Sequence, residues 1–133
     1  MAFVVLKFGG SVITPDNPVY VKSAAALIHK VSKTQQVGVV VGGGKTAALY
    51  VEAGRHLGVN QFRLDDLAIG VTRLNAALLA NAVSTAVPAV PHSIEDAVGL
   101  LNVGVPVVVM GGTVPGHTTN TVAALLAEEE ARQ

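Results

Sequence analysis

The stretch Val37-Gly38-Val39-Val40-Val41-Gly42-Gly43-Gly44-Lys45-Thr46 decides the fold. A run of β-branched residues, apolar without alternation, is the pattern of a parallel strand buried on both faces. It breaks into a triple glycine and then into helix-forming sequence. At such a turn the backbone N–H groups and the positive end of the helix dipole converge on an anion. Glycine admits positive φ there and lets a phosphate approach the main chain closely.

The arrangement recurs on either side of this stretch. Phe3-Val4-Val5-Leu6 runs into Lys7-Phe8-Gly9-Gly10-Ser11. Val105-Pro106-Val107-Val108-Val109-Met110 runs into Gly111-Gly112-Thr113-Val114-Pro115-Gly116-His117-Thr118-Thr119. Repeated on one sheet edge, such turns point to a phosphorylated ligand, and to more than one.

Helices fill the intervals. Asn17-Pro18 supplies a cap and a first-turn proline for a helix to about Lys33, with Val21, Ala24, Ala25, Ile28 and Val31 as its apolar stripe. A second helix is predicted from Lys45 to about His56, ended at Gly58. Asp65 or Asp66 is expected to cap a third, running to about Val83 with Leu67, Val71, Leu74 and Leu78 at helical spacing. A short extended segment is expected near 87–90. Ser93-Ile94-Glu95-Asp96 has the capping-box form and opens a helix through about Leu101. Residues 105–110 are a buried strand with Pro106 at its start, and residues 121–131 a final helix. Residues 3–8 read as a strand buried on both faces. This alternation implies an α/β fold: an open, mostly parallel sheet covered by helices, with ligands gathered at the carboxyl ends of its strands.

The chain has 133 residues, half of them hydrophobic, with nine basic and nine acidic side chains that cancel. One domain is expected, able to bury roughly two-thirds of its unfolded surface. No basic cluster or aromatic platform suits nucleic acid. The absence of cysteine excludes disulfides and thiolate metal sites. His29, His56, His92 and His117 fall at no metal-ligand spacing, so no metal site is expected. The opening residues lack a signal-peptide layout, and no run approaches the ~18 apolar residues of a membrane span. A cytoplasmic protein, with no membrane partner, is the resulting expectation.

KFGGSV, VVVGGGKTA, LDDLAIGVTRLNA and GGTVPGHTTNTVAALLAE together resemble the amino-acid kinase superfamily, within it the archaeal-type uridylate (UMP) kinases. The last two motifs carry most of the specificity. The resemblance covers nearly the whole chain but only about the first half of a complete kinase. The second half, with most of the adenosine pocket, would begin where this chain stops. It implies a three-layer αβα sandwich, here the amino-terminal lobe as a single domain over residues 1–133. The implied reaction is ATP + UMP giving ADP + UDP, in pyrimidine nucleotide biosynthesis, with magnesium on the ATP. Lys7, Phe8, Gly9, Gly10, Ser11 and Gly43 are then the ATP phosphate-binding residues, and Lys7 the catalytic one. Gly42, Asp65, Thr113, Val114, Pro115, Gly116, His117, Thr118 and Thr119 would bind UMP.

Some residues depart from the family pattern. Ala48 stands where an arginine usually follows the triple glycine, and Asn120 where an acid follows the two threonines. Lys7 is closer to the wider superfamily than to the archaeal UMP kinases. These departures leave two other readings: a non-catalytic nucleotide- or phosphate-binding half-protein, and a superfamily member with another small acceptor. Arg73, at mid-helix, reads as a structural or subunit-contact residue. His117 is read either as a ligand contact or as holding its own loop. A half-lobe would expose a sheet edge and apolar surface, so a homo-oligomer or a complementing lobe is expected.

Overall fold

In the computed structural model, which describes residues 2–87 and 89–132, three parallel strands lie side by side in chain order. They are β1 (Ala2–Phe8), β2 (Gln35–Val41) and β3 (Val107–Met110). Phe8 pairs with Val41 and Val40 with Met110, so all three strands end together and their glycine turns share one edge. Helices α1 (Pro18–Ser32), α2 (Gly44–His56) and α3 (Gln61–Ala82) precede α4 (Ile94–Asn102), β3 and α5 (Thr119–Ala131).

Alternation along the strands divides the core. Val37, Val39, Val41, Val107 and Val109 face α1 and α3, packing with Ile28, Ala76 and Leu79. Val40, Val108 and Met110 face α4 and α5, packing with Ala97, Leu101, Val122 and Leu126. The result is the expected three-layer αβα arrangement, with α2 stacked outside on α3. Among the described residues no helix is long and apolar enough to cross a membrane.

Local chemistry explains most of the boundaries. The Asn17 side chain accepts from the N–H of Tyr20, with Pro18 in the first turn of α1. Ser93 accepts from Asp96 N–H at the start of α4, and Thr118 from Thr121 N–H at the start of α5. Each cap is worth about 1 kcal/mol. Gly58, at φ +75°, ends α2 as expected.

Four expectations are corrected. β1 is only half-buried: it is an edge strand packed mainly against α5, whereas β3, at the other edge, is covered by α3 and α4. Neither Asp65 nor Asp66 caps α3. The helix begins a turn earlier, where Asn60 accepts from Arg63 N–H at 3.0 Å. Its buried face carries Val71, Thr72, Asn75, Ala76, Leu79 and Ala80, whereas Leu67, Leu74 and Leu78 are 39%, 71% and 40% exposed. Small and polar residues fit the close contact with the glycine turns, and the leucines fall outside it. The segment expected near 87–90 makes only a single bridge, from Ala86 to Val107, and Pro88 lies outside the described residues.

Candidate phosphate and nucleotide site

The turns after β1 and β2 are locked together by main-chain contact. Gly42 N–H donates to Phe8 C=O at 2.9 Å. A Cβ on Gly10 would fall 2.2 Å from the carbonyl carbon of Gly43, so only glycine fits between the two turns. Gly44 takes φ +56° at the same contact. The first turn closes on itself through Gly9 C=O, which accepts from Val12 and Ile13 N–H. Phe8 contributes its main chain here, while its ring packs against the core.

Three hydrogen-bond donors converge above Gly42. The point where a Gly42 Cβ would sit lies 3.3 Å from Gly10 N, 3.5 Å from Lys7 Nζ and 3.5 Å from Thr119 Oγ1. An ammonium, an amide N–H and a hydroxyl around one atom-sized space is a donor set suited to a phosphoryl oxygen. It also joins elements distant in sequence: the end of β1, the end of β2 and the start of α5.

Helix α2 opens beside this point without a side-chain cap; Gly43 stands at its N-cap position. Its first N–H groups therefore remain available to an anion, as do the positive ends of its peptide dipoles. Lys45, exposed at the same end, adds a positive charge.

A cavity of about 360 Å3 adjoins the second and third turns. Its walls include Gly43, Asp65, Val114, Pro115, Gly116, His117, Thr118 and Thr119, so most of the residues expected around UMP come together. The volume is within the range of small-ligand pockets. The Asp65 carboxylate is held by Gln61 Nε2 at 2.8 Å. The two threonines separate in role: the Thr118 hydroxyl caps α5, and that of Thr119 faces Gly42 and Lys7. His117 lines the cavity and is exposed, and its N–H donates to Val114 C=O to close the loop.

Other expected residues sit apart from the cavity wall. Lys7, Gly9, Gly10 and Ser11 lie on the neighbouring turn, and Gly42 is buried behind Gly43. Thr113 contributes a carbonyl that accepts from Arg73 Nη2 at 3.0 Å, while Arg73 Nε donates to Gly112 C=O at 3.2 Å. Arg73 thus has a structural role, one of the two readings the sequence left for it.

Sequence reading missed the rest of the α3 wall: Ala68, Ile69 and Thr72, which with Asp65 follow the i, i+3, i+4, i+7 pattern of one helix face. It also missed the buried polar pair Thr72 and Asn75. Gly112 N–H donates to Thr72 Oγ1 at 2.7 Å, and Asn75 Nδ2 donates to Gly42 C=O at 3.1 Å. Polar residues three apart within an otherwise apolar face were the available signal.

Among the described residues no group of three or more His, Asp or Glu side chains stands together to hold a metal ion. A wider groove of about 560 Å3, walled by Pro18, Val21, Ala25 and Leu78 with Lys22 and His29 at its margin, contains none of the expected residues.

Residues 2–130 match the amino acid kinase family. The chain belongs to that family. Among its relatives, it is 47% identical over 131 residues to the uridylate kinase of Thermoplasma acidophilum, covering 96% of this chain and 56% of that protein. The crystal structure of uridylate kinase from Archaeoglobus fulgidus superposes with a TM-score of 0.89 at 44% identity, covering 97% of this chain and 58% of that one. UMP kinase from Ureaplasma parvum, at 19% identity and a TM-score of 0.74, shares the fold. The chain spans about half the length of the curated relatives it matches.

Proposed function

We propose that this amino acid kinase family chain carries the acceptor and phosphoryl-transfer portion of a cytoplasmic uridylate kinase, transferring the γ-phosphoryl group of ATP to UMP. The observation that carries the reading is the convergence of Lys7 Nζ, Gly10 N–H and Thr119 Oγ1 above Gly42, beside a cavity walled by Asp65 and residues 114–119. Similarity to archaeal uridylate kinases supports UMP as the acceptor.

In this reading UMP occupies the cavity, with Asp65 accepting from the sugar hydroxyls and the 113–119 loop around the nucleotide. The ATP phosphates rest on the Lys7–Ser11 turn and Gly43. A UMP phosphate oxygen attacks the γ-phosphorus, the bond to the β-bridging oxygen breaks, and ADP leaves. Such transfer asks the protein for positioning and charge stabilisation more than for covalent chemistry. Lys7 and the turn N–H groups supply the stabilisation from fixed positions. Magnesium, carried on the ATP oxygens, would neutralise part of the phosphate charge.

The test is ATP-dependent formation of UDP from UMP, with CMP as control acceptor. Selective UDP formation is expected; equal use of CMP would contradict the acceptor assignment. A second reading, binding without turnover, is favoured by Ala48, exposed on α2 where the family resemblance leads one to expect an arginine. It predicts UMP binding with no UDP. Either reading includes assembly with another copy or a complementing lobe, supported by the open edge of β1 and by exposed Leu57, Leu74 and Phe62. Sedimentation should depend on concentration; a concentration-independent monomer would contradict it.

A further inference from the structure

Asn75 is 3% exposed in the middle of α3, far from any helix end that would call for an asparagine. Its side-chain amide donates to the Gly42 carbonyl at 3.1 Å, across 33 positions of sequence. Buried side-chain amides are costly unless bonded, and an apolar residue here would leave the buried Gly42 carbonyl without its donor. The contact it makes is with the peptide that links the end of β2 to Gly43 on the cavity wall.

The described chain holds no cis peptide, so the Gly42–Gly43 unit is trans and planar. Its C=O and the following N–H therefore point to opposite sides. By fixing the Gly42 carbonyl on α3, Asn75 turns the Gly43 N–H the other way. Among the described residues that N–H has no acceptor within the chain, and Gly43 is on the cavity wall. One turn earlier Thr72 grips the Gly112 N–H, so a single helix face holds the second and third turns in register.

We infer that Asn75 is a positioning residue that aims the Gly43 N–H at the transferring phosphoryl group. Without its bond the flexible Gly42–Gly43 peptide can rotate, because glycine imposes no side-chain barrier to the alternative orientation. The N–H would then be lost as a fixed donor when charge develops in transfer. The inference deepens the uridylate kinase reading and, for its kinetic part, rests on it.

Two substitutions separate aiming from simple structural support. Asn75→Leu keeps the volume and removes the donor. Asn75→Asp removes the donor when ionised and restores an O–H donor when protonated, at a pH raised by burial. The Leu variant leaves the Gly42 carbonyl without its donor and should melt several degrees below the parent while still folding. It should lose about 100-fold in kcat, as when an oxyanion donor is removed. Its KM for UMP should change by less than about twofold, because the lost interaction belongs to the transition state. Activity of the Asp variant, relative to the parent, should rise on acidification, and that of the Leu variant should not.

A readout independent of turnover is the Gly43 amide resonance in labelled protein titrated with magnesium-ATP. It should shift in the parent and fail to shift in Asn75→Leu. A Leu variant that keeps both kcat and the Gly43 response would overturn the inference. So would identical pH profiles for the Asp and Leu variants, which decide the matter even if Leu impairs folding. If the parent makes no UDP, the uridylate reading fails, and the Gly43 response still judges Asn75. No Gly43 response in the parent overturns the role of Asn75 and leaves any observed turnover standing.

Discussion

Gly10 and Gly44 meet backbone to backbone: a Cβ on Gly10 would lie 2.3 Å from Gly44 N, and a Cβ on Gly44 2.4 Å from Gly10 C. The first two turns thus form one rigid block, and the N–H donors of both inherit its geometry. Rigid backbone donors are what electrostatic stabilisation of a transferring group requires, since they need no reorganisation during the reaction.

Replacing Gly10 by Ala therefore forces the two turns apart. The cost should be at least about 3 kcal/mol, the upper range for overpacking, read by denaturant unfolding. Gly70→Ala is the contrasting case. Gly70 is exposed within α3, and a Cβ there meets nothing within 4 Å. It should stabilise by about 0.5–1 kcal/mol. Equal effects of the two changes would contradict the packing described.

Gly42→Ala should separate function from stability. Its methyl would enter the space bounded by Gly10 N–H, Lys7 Nζ and Thr119 Oγ1, with no contact shorter than 3.3 Å. Unfolding free energy should change by less than about 1.5 kcal/mol. UDP formation should fall by about 100-fold or more, as when an oxyanion donor is lost. Normal turnover would remove this space from the mechanism.

The start of α3 gives a clean comparison. Asn60 is the cap, and Asp65 lies inside the helix with Gln61 as partner. Asn60→Ala should cost about 1 kcal/mol. Asp65→Ala should stay within about 0.5 kcal/mol of the parent, since it removes one exposed side-chain contact. The reverse order in thermal or chemical unfolding would restore Asp65 as a capping residue.

Asp16 follows the first turn, and its carboxyl is held below the ordinary value. The Thr14 hydroxyl is the main cause, followed by the Asp16 N–H, with the Lys45 charge a smaller contribution. A lowered folded pKa means the ionised form favours the native state. Its contribution is present above the ordinary carboxylate range and is lost as pH falls through the lowered value. NMR titration should find the Asp16 midpoint below that of the unfolded chain, and Thr14→Val should raise it. An unchanged midpoint in the variant would contradict the assignment to Thr14.

The sheet and its turns were legible because their chemistry is local: a β-branched run that ends in glycines suits a buried strand and its turn and little else. The caps at Asn17 and Ser93 were legible for the same reason. The orientation of α3 was not. Leu67, Leu74 and Leu78 suggest a stripe by hydrophobicity, but the face that meets the glycine turns is chosen by size and hydrogen bonding, hence Thr72, Asn75 and Ala76. The half-buried state of β1 was hidden as well, because an apolar strand reads the same whether helices cover it fully or only in part. Within the site, loop residues 114–119 announced themselves by motif, whereas the α3 wall is visible only once the helix is rotated correctly.

The central claim is that the cavity between α3 and residues 113–119 holds UMP, with Asp65 as a ligand. Calorimetric titration of UMP into the parent chain and into Asp65→Ala tests it most directly. The parent should bind, and the variant should bind about tenfold more weakly with its fold intact, a loss of about 1.4 kcal/mol. No binding by the parent, or equal affinity in both, would contradict the account.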